Sequence, residues 1–199
     1  MRPAIDPASH AVAAALESDP FYRCITAQFA SDEARRRAVL SAYLDYSIGQ
    51  GMRIGRVVHP EEPDLGVAVW LLPQSDEVRK RERAHKHEFL GQLLGESGFT
   101  NYQRIVDYMN ACASTVVPID AWYLSIVAIA PQAQGRGLGA RLLAPTLAEA
   151  AAARAVCYLE TFSSRSRRFY ERLGFVAQGE FPEPTSGAQY AILTRVTSA

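Results

Sequence analysis

Glycines recur at every second position in residues 134–140, which read Gln-Gly-Arg-Gly-Leu-Gly-Ala. The residues before them, 122–129, are apolar apart from Ser125, which is typical of a central buried strand, and Pro131 ends that strand because proline cannot donate to a ladder. An Ala/Leu-rich helix follows. Glycines at such a junction let the backbone approach a ligand closely, and the free amides of a helix N-terminus attract anions. The segment therefore predicts an anion site, most often one for phosphate.

Two nucleotide-binding motifs can be compared with this segment. Gly135, Gly137 and Ala140 satisfy the spacing G-x-G-x-x-A of a dinucleotide-binding loop. That loop starts directly after its strand, whereas residues 131–134 intervene here, and the 60 residues after Gly139 are too few for the two halves of such a fold. A Walker loop is excluded because no Gly-Lys-Ser/Thr follows. The better match is Q-x-x-G-x-G, at Gln134, Gly137 and Gly139.

A second segment, Phe-Tyr-Glu-Arg-Leu-Gly-Phe at residues 169–175, lies downstream of the glycines. The two segments, in this order and spacing, resemble the acetyl-CoA pyrophosphate loop and the Y-E-x-L-G-F signature of the GNAT N-acetyltransferases. Within that family, residues 122–175 are similar to the puromycin N-acetyltransferase group, which shares Pro145 and the Leu-Glu-Thr of residues 159–161. The resemblance implies acetyl-CoA as the acetyl donor and no metal.

The resemblance also implies which residues contact the donor. The family's central strand bulges and splays from the next strand, which leaves amides at Val127 and Ile129 beside the thioester carbonyl. Ser163 and Ser166 stand where relatives often place asparagine, and serine can still donate a hydrogen bond to CoA. The pyrophosphate would lie on the loop residues Gln134, Gly135, Arg136, Gly137, Leu138, Gly139 and Ala140.

Three residues receive catalytic roles from the same resemblance. Tyr170 matches the tyrosine beside the CoA sulfur, and its phenol would protonate the departing thiolate, since an ordinary thiol has a pKa near 8.5. Glu160 would accept a proton from the incoming ammonium, directly or through water, and otherwise reads as a solvated or ion-paired glutamate. Ser125 is too weak a base alone and would hold a water in a relay. The resemblance implies direct attack in a ternary complex, without an acyl-enzyme.

Composition narrows the class of protein. Lysine plus arginine and aspartate plus glutamate number 21 each among 199 residues, so no net charge recruits nucleic acid or an anionic membrane. No apolar run approaches membrane-spanning length, and residues 1–7 do not open a signal peptide. Three widely spaced cysteines suit a reducing compartment, so a cytoplasmic location is expected. His85 and His87 do not share a helix face, which favours a solvated charged surface over a metal site.

The pattern of apolar residues and turns, together with the resemblance, predicts one α/β (α+β) domain over residues 1–199. Its mixed, mostly antiparallel twisted sheet would have six or seven strands, with helices on both faces. Predicted strands are 53–59, 66–72, 122–129, 157–161, 175–181 and 189–196, with a short edge strand over 1–5. Predicted helices are 11–17 with Ser9 as N-cap, a turn at 19–22, one from 31 that Gly49 and Gly51 end, 76–94, 102–113, 137–153, and one capped by Ser163 or Ser164.

Three functions fit this pattern. The first is acetyl transfer from acetyl-CoA to a primary amine of a small molecule, with a helical insert at about 74–115 shaping the acceptor site. The second is acetylation of a protein α-amine or lysine, which requires an open groove rather than an enclosed pocket. The third is a non-catalytic acyl-CoA-binding regulatory domain, against which the retained Tyr170 signature argues. The acceptor cannot be identified from these residues, and homodimerisation stays open.

Overall fold

A six-stranded sheet lies at the centre of the computed structural model, which describes residues 6–196. Its strands are β1 (Gly55–Val58), β2 (Gly66–Leu71), β3 (Trp122–Ile129), β4 (Cys157–Thr161), β5 (Val176–Glu183) and β6 (Ala188–Arg195). They are arranged in the order β1-β2-β3-β4-β6-β5, and every neighbouring pair is antiparallel except β3 and β4. The predicted mixed, mostly antiparallel sheet is confirmed. The edge strand predicted over residues 1–5 lies outside the described residues.

Helices cover both faces of this sheet, as predicted. They are α1 (Pro7–Leu16), α2 (Pro20–Ile25), α3 (Glu33–Ile54), α4 (Asp76–Ala113), α5 (Leu138–Ala152) and α6 (Ser164–Glu171). Helices α1 to α4 share one apolar core with the sheet, and α5 and α6 share the other. Strand β2 supplies both cores by its period of two: Val67 and Val69 enter the first, and Ala68 and Trp70 enter the second.

Strand β3 changes faces halfway along its length. Its register with β2 shifts between Val69 and Trp70, which pair with Ile126 and Leu124, so that Ser125 is one residue too many. This is a β-bulge, and the resemblance predicted one in this strand. Before the bulge, Trp122 and Leu124 pack into the core with α5; after it, Ile126 and Ala128 pack into the core with α1 and α3. One extra residue thus moves the even-numbered side chains of β3 from one core to the other.

The start of α1 differs from the predicted one. The helix begins at Pro7, and the carboxylate of Asp6 accepts a 2.9 Å hydrogen bond from the amide of Ala8. Ser9, the expected cap, lies buried in the first turn, where its hydroxyl donates to the carbonyl of Asp6 at 2.7 Å. Proline at the first helical position, preceded by aspartate, is the stronger start pattern because its fixed φ is already helical.

Gly49 and Gly51 do not end α3, which continues to Ile54. Gly51 is buried against the sheet, and a Cβ there would lie 2.6 Å from Cγ1 of Val69 and 2.9 Å from Cγ2 of Val57. The glycine therefore serves the close approach of α3 to β1 and β2 rather than a helix stop. The prediction was wrong because a glycine in a sequence does not distinguish these two uses.

The two helices predicted over 76–94 and 102–113 both lie within the 38-residue α4, where a kink at Gly95 separates them. Only Gly95 leaves helical geometry, with φ of 64° and ψ of 179°, and the chain resumes the helix directly after it. Gly98 is buried there, and a Cβ on it would lie 2.4 Å from the carbonyl oxygen of Ile25. Within residues 6–196, no helix is both long and apolar enough to cross a membrane.

Candidate active site

Strands β3 and β4 pair only at their first residues. Trp122 lies opposite Cys157 and Tyr123 opposite Tyr158, and the paired register goes no further, although β4 stays paired with β6 to its end. The two parallel strands therefore separate toward their carboxyl ends, and the sheet opens along its middle. A cavity of about 710 Å³ lies beside this opening and is lined by β3, β4, α6 and the helices α2 to α4.

The bulge decides which amides of β3 face the opening. The amide of Trp122 donates to the carbonyl of Val156 at 2.8 Å, on the β4 side, whereas the amide of Ala130 donates to Leu65 at 3.0 Å, on the β2 side. Successive amides alternate along a strand, so the unpaired β4 side receives the amides of Val127 and Ile129. Without the extra residue they would face β2. This orientation is the one that a role in binding the thioester carbonyl requires, and the role itself stays a prediction.

The cavity brings together five of the predicted site residues and leaves the others elsewhere. Ser125, Val127, Glu160, Ser166 and Tyr170 line its wall. Ser163 instead caps α6, because its hydroxyl accepts from the amide of Ser166 at 3.1 Å. The predicted residues that do not line the cavity are Ser163, Ile129 and the loop residues 134–140.

Tyr170 is held in place by aromatic packing. Its ring meets Phe169 and Phe175 edge to face, with ring centroids 5.1 and 5.9 Å apart, and the side chain is almost fully buried. Burial raises the pKa of Tyr170 well above its ordinary value, and the carboxylate of Asp19 adds to the rise. The side chain therefore stays a phenol with a proton to donate throughout the physiological range.

Glu160 follows from the period of two in β4. Cys157 and Leu159 point into the core with α5, so that Tyr158 and Glu160 point into the cavity. Oε1 of Glu160 is buried and has no hydrogen-bond partner among the described residues. Burial raises the pKa of Glu160 to about 7, although the hydroxyl of Tyr123 opposes the rise. A carboxylate that titrates near neutral pH is suited to accept a proton from an ammonium.

Several cavity residues were missed in the sequence. Tyr123 and Tyr158 stack with ring centroids 4.7 Å apart across the last paired position of β3 and β4. Both stand two residues before predicted site residues, Ser125 and Glu160, so the period of two would have found them. Nothing local indicated Asp19, Tyr22 or Lys86, because helices from distant parts of the chain carry them to the cavity.

The glycine loop has the geometry expected of an anion site. Gly135 and Gly137 have φ of 78° and 73°, a region that favours glycine, and a Cβ on either would have no atom of the described residues within 4 Å. Gly137 is the N-cap of α5, and no side chain among the described residues caps that helix end, so its first amides have no side-chain acceptor there. The side-chain amide of Gln134 donates to the carbonyl of Ile129 at 3.0 Å and ties the loop to the end of β3.

Gly139 joins this loop to the helix that carries Tyr170. A Cβ at Gly139 would lie 3.1 Å from Cζ of Phe169, the residue before Tyr170. The lack of a side chain at Gly139 therefore lets α5 pack closely against α6. Arg136 and Leu138 line a second cavity of about 440 Å³, which reaches to the β1–β2 connection at His59.

His59 contacts the carboxylate of Asp6 at 3.3 Å. Residues 6–196 contain no group of three side chains that could hold a metal.

Comparison with known proteins agrees with this fold. Residues 91–177 match the family model described as "Acetyltransferase (GNAT) domain". The fold is similar to the histone acetyltransferase HPA2 and related acetyltransferase from Corynebacterium glutamicum, with a TM-score of 0.64, 24% identity, and coverage of 96% of this chain and 90% of that one.

The folds of two insect enzymes are also similar to the fold of this chain. Arylalkylamine N-acetyltransferase 2 from Aedes aegypti matches with a TM-score of 0.57, 15% identity, and coverage of 89% and 95%. The polyamine N-acetyltransferase of Drosophila melanogaster matches with a TM-score of 0.55, 14% identity, and coverage of 94% of both chains. The finer likeness to the puromycin N-acetyltransferase group stays a prediction. The chain has the GNAT fold, and residues 91–177 match the domain model of that family.

Proposed function

We propose that this chain is an N-acetyltransferase that moves the acetyl group of acetyl-CoA to a primary amine of a small molecule, by direct attack in a ternary complex. One observation carries the proposal: the opening between β3 and β4 gathers the amide of Val127, the Glu160 carboxylate and the Tyr170 phenol around one cavity. The chain would act as one domain, with α4 as the helical insert that shapes the acceptor site.

The residues of the donor side suit acetyl-CoA. The uncapped amides at the start of α5 would hold the pyrophosphate, and the contact of Gly139 with Phe169 connects that site to Tyr170. The gap between β3 and β4 would take the pantetheine arm, because it leaves strand amides without a neighbouring strand. Val127 would then donate to the thioester carbonyl.

Three residues would act one after another in the reaction. Glu160, directly or through a water at Ser125, takes a proton from the ammonium and leaves a nucleophilic amine. The amine nitrogen bonds to the carbonyl carbon, and the amide of Val127 meets the negative charge that develops on oxygen. As the carbon–sulfur bond breaks, Tyr170 donates its proton to the thiolate. The attacking nitrogen loses its second proton to solvent as the tetrahedral intermediate collapses, so that a neutral amide forms. The products are the acetylated amine and CoA, and the proton on Glu160 restores the phenol through solvent.

The size and walls of the cavity favour a small acceptor. At about 710 Å³ it falls within the range of small-molecule pockets, and part of that space must take the acetyl group and the end of the pantetheine arm. Helices α2, α3 and α4 form walls that a folded protein surface would have to pass. Acetylation of a protein α-amine or lysine is therefore the second candidate.

A library of primary amines tests this function. The purified protein with acetyl-CoA is offered each amine, release of the free CoA thiol is followed, and the acetylated product is identified by mass spectrometry. We expect at least one small amine to give turnover above the rate without acceptor. Thiol release from acetyl-CoA with protein N-terminal peptides only would favour the second candidate. Binding of acetyl-CoA without turnover of any amine or peptide would leave the regulatory domain.

A further inference from the structure

The α4 wall of the cavity is rich in cations. Arg79, Arg83 and Lys86, spaced four and three residues apart, share one face of α4 and line the cavity. The one carboxylate of α4 between them, Glu82, is already bonded to Arg53 in bidentate fashion at 2.9 and 3.2 Å. Arg79 is also paired, with the carboxylate of Asp76. Arg83 and Lys86 form no salt bridge among the described residues, so they give this wall positive charge that its acidic residues do not neutralise.

Lys86 is the member of this group that is withdrawn furthest from solvent. Its ammonium lies 3.5 Å from Oε1 of Gln50 and 5.7 Å from the ring centroid of Tyr43. No carboxylate oxygen of the described residues lies within 4.0 Å of it. Desolvation lowers the pKa of Lys86 to about 8. An ammonium without a counter-ion at a cavity wall is unfavourable for the fold by itself, so a ligand that supplies the counter-ion would bind well there.

The position of Lys86 separates it from the donor phosphates. Its neighbour Gln50 stands one turn before Ile54, whose carbonyl accepts from the amide of Leu72 at 3.1 Å. Leu71 in turn pairs with Tyr123, at the start of β3. The glycine loop follows the other end of β3, and eight strand residues span roughly 23 Å. Lys86 thus belongs to the acceptor end of the cavity.

We propose that Lys86 binds an anionic oxygen group, a carboxylate or a phosphate, on the acceptor amine. The proposal rests on the proposed function and adds the class of acceptor to it. The cavity is polarised: β4 offers the buried, unpartnered Oε1 of Glu160 to an ammonium, and α4 offers Lys86 to an anion. A small zwitterion with its amine and its anionic group at opposite ends matches both walls.

Matched pairs of acceptors test this assignment. Amino acids are compared with their carboxamides, and aminoalkyl phosphates with the corresponding amino alcohols, in the parent protein and in Lys86→Met. We expect the parent to favour the anionic member of a pair, and Lys86→Met to raise the KM for that member by about 10- to 100-fold. The KM for the neutral member and for acetyl-CoA should not change. Which pair shows the effect distinguishes carboxylate from phosphate.

Two further variants serve as controls. Lys86→Arg keeps the charge and should recover part of the preference for anions. Lys80→Met removes an exposed lysine of the same helix that does not line the cavity, and it should behave as the parent. Equal KM increases for the anionic and neutral members in Lys86→Met, or no preference for anions in the parent, would overturn the proposal.

A binding measurement separates this proposal from the function on which it rests. Anionic and neutral compounds are titrated calorimetrically into protein saturated with CoA, for the parent and Lys86→Met. If no compound is acetylated, the proposed function fails, but selective loss of anion binding in Lys86→Met would still support the Lys86 site. Equal anion binding by both proteins would reject the site whatever the turnover.

Discussion

The two sides of the cavity are built by different means. On the proposed donor side, backbone groups would do the binding: the amides of β3 freed by the bulge and the amides at the start of α5. On the proposed acceptor side, side chains of α3 and α4 would do it, with Arg79, Arg83 and Lys86 as the cations that line the cavity. The donor side should therefore be sensitive to backbone conformation and the acceptor side to charge. Tyr170 and Glu160 stand where the two sides meet.

Replacing Tyr170 by phenylalanine should give the largest effect. The change removes one hydroxyl and little volume, so the packing against Phe169 and Phe175 is preserved. If the phenol protonates the thiolate, turnover should fall by about 10²–10⁴-fold, while CoA affinity changes little. Acetyl-transfer kinetics and calorimetric CoA titration measure the two quantities. Lower thermal stability together with weaker CoA binding would show a structural role instead.

Glu160→Gln should cost about 10²-fold in turnover at pH 7. In the parent, kcat/KM should decline as pH falls through about 7, because burial places the pKa of Glu160 there and the protonated carboxyl cannot accept a proton. The variant must rely on the free amine that solvent provides, so its deficit should shrink as pH approaches the pKa of the amine. Parallel pH–rate profiles of parent and variant would exclude Glu160 as the base and favour a water chain.

Gly137→Val tests whether the donor side depends on backbone conformation. Gly137 has φ of 73°, which a β-branched residue adopts only with strain, so the first amides of α5 should shift. Acetyl-CoA should bind about 10- to 100-fold more weakly by calorimetry. Gly187→Val is the control, because Gly187 has φ of 69° and the same open surroundings, but lies in the β5–β6 turn. Equal losses of CoA affinity in both variants would contradict a local effect.

Lys86→Met should have the smallest effect, and a favourable one, on folding. The pKa of Lys86 lies near 8 in the folded chain against an ordinary 10.5, so the unfolded chain binds more protons between these values. Stability of the parent should therefore rise as pH increases from 8 to 10.5, and below pH 8 the full cost of this partly buried charge is present. The variant should be more stable at pH 7, by about 1–3 kcal/mol, and lack this rise. Urea unfolding of the parent and the variant at pH 7 and at pH 10.5 measures the difference in stability and its change with pH.

The candidate donor side could be proposed from the sequence because backbone-based binding depends on residues that are close together in the chain. Glycines at positive φ, a proline at a strand end and the order of residues 169–175 are all neighbours in the chain. The acceptor side leaves no such trace. Lys86 reads as one more charge on a charged helix, and only the packing of α4 against α3 brings it beside Tyr43 and Gln50. The helical insert was predicted, but not which of its faces lines the cavity.

Glycine was also the residue that misled. Gly51 serves a close contact with Val69 and not a helix stop. Gly139 serves a close contact with Phe169, and its direct approach to phosphate stays a prediction. A sequence shows that a side chain is missing at such a position but not which neighbour needs the space. The bulge at Ser125 was likewise expected only through the family resemblance, since nothing in residues 122–129 marks an extra residue.

The short pairing of β3 with β4 has a consequence for the rates of amide hydrogen exchange along β3. The sheet consists of two three-stranded halves, β1-β2-β3 and β4-β6-β5. Among the described residues, these halves are paired at two positions only, Trp122 with Cys157 and Tyr123 with Tyr158. Amides on the open side of β3, at Val127 and Ile129, should exchange with solvent deuterium rapidly, whereas those of Ile126 and Ala128, paired with β2, should be protected. A bound pantetheine arm would accept hydrogen bonds from these open-side amides. Saturation with CoA should therefore slow exchange selectively at Val127 and Ile129.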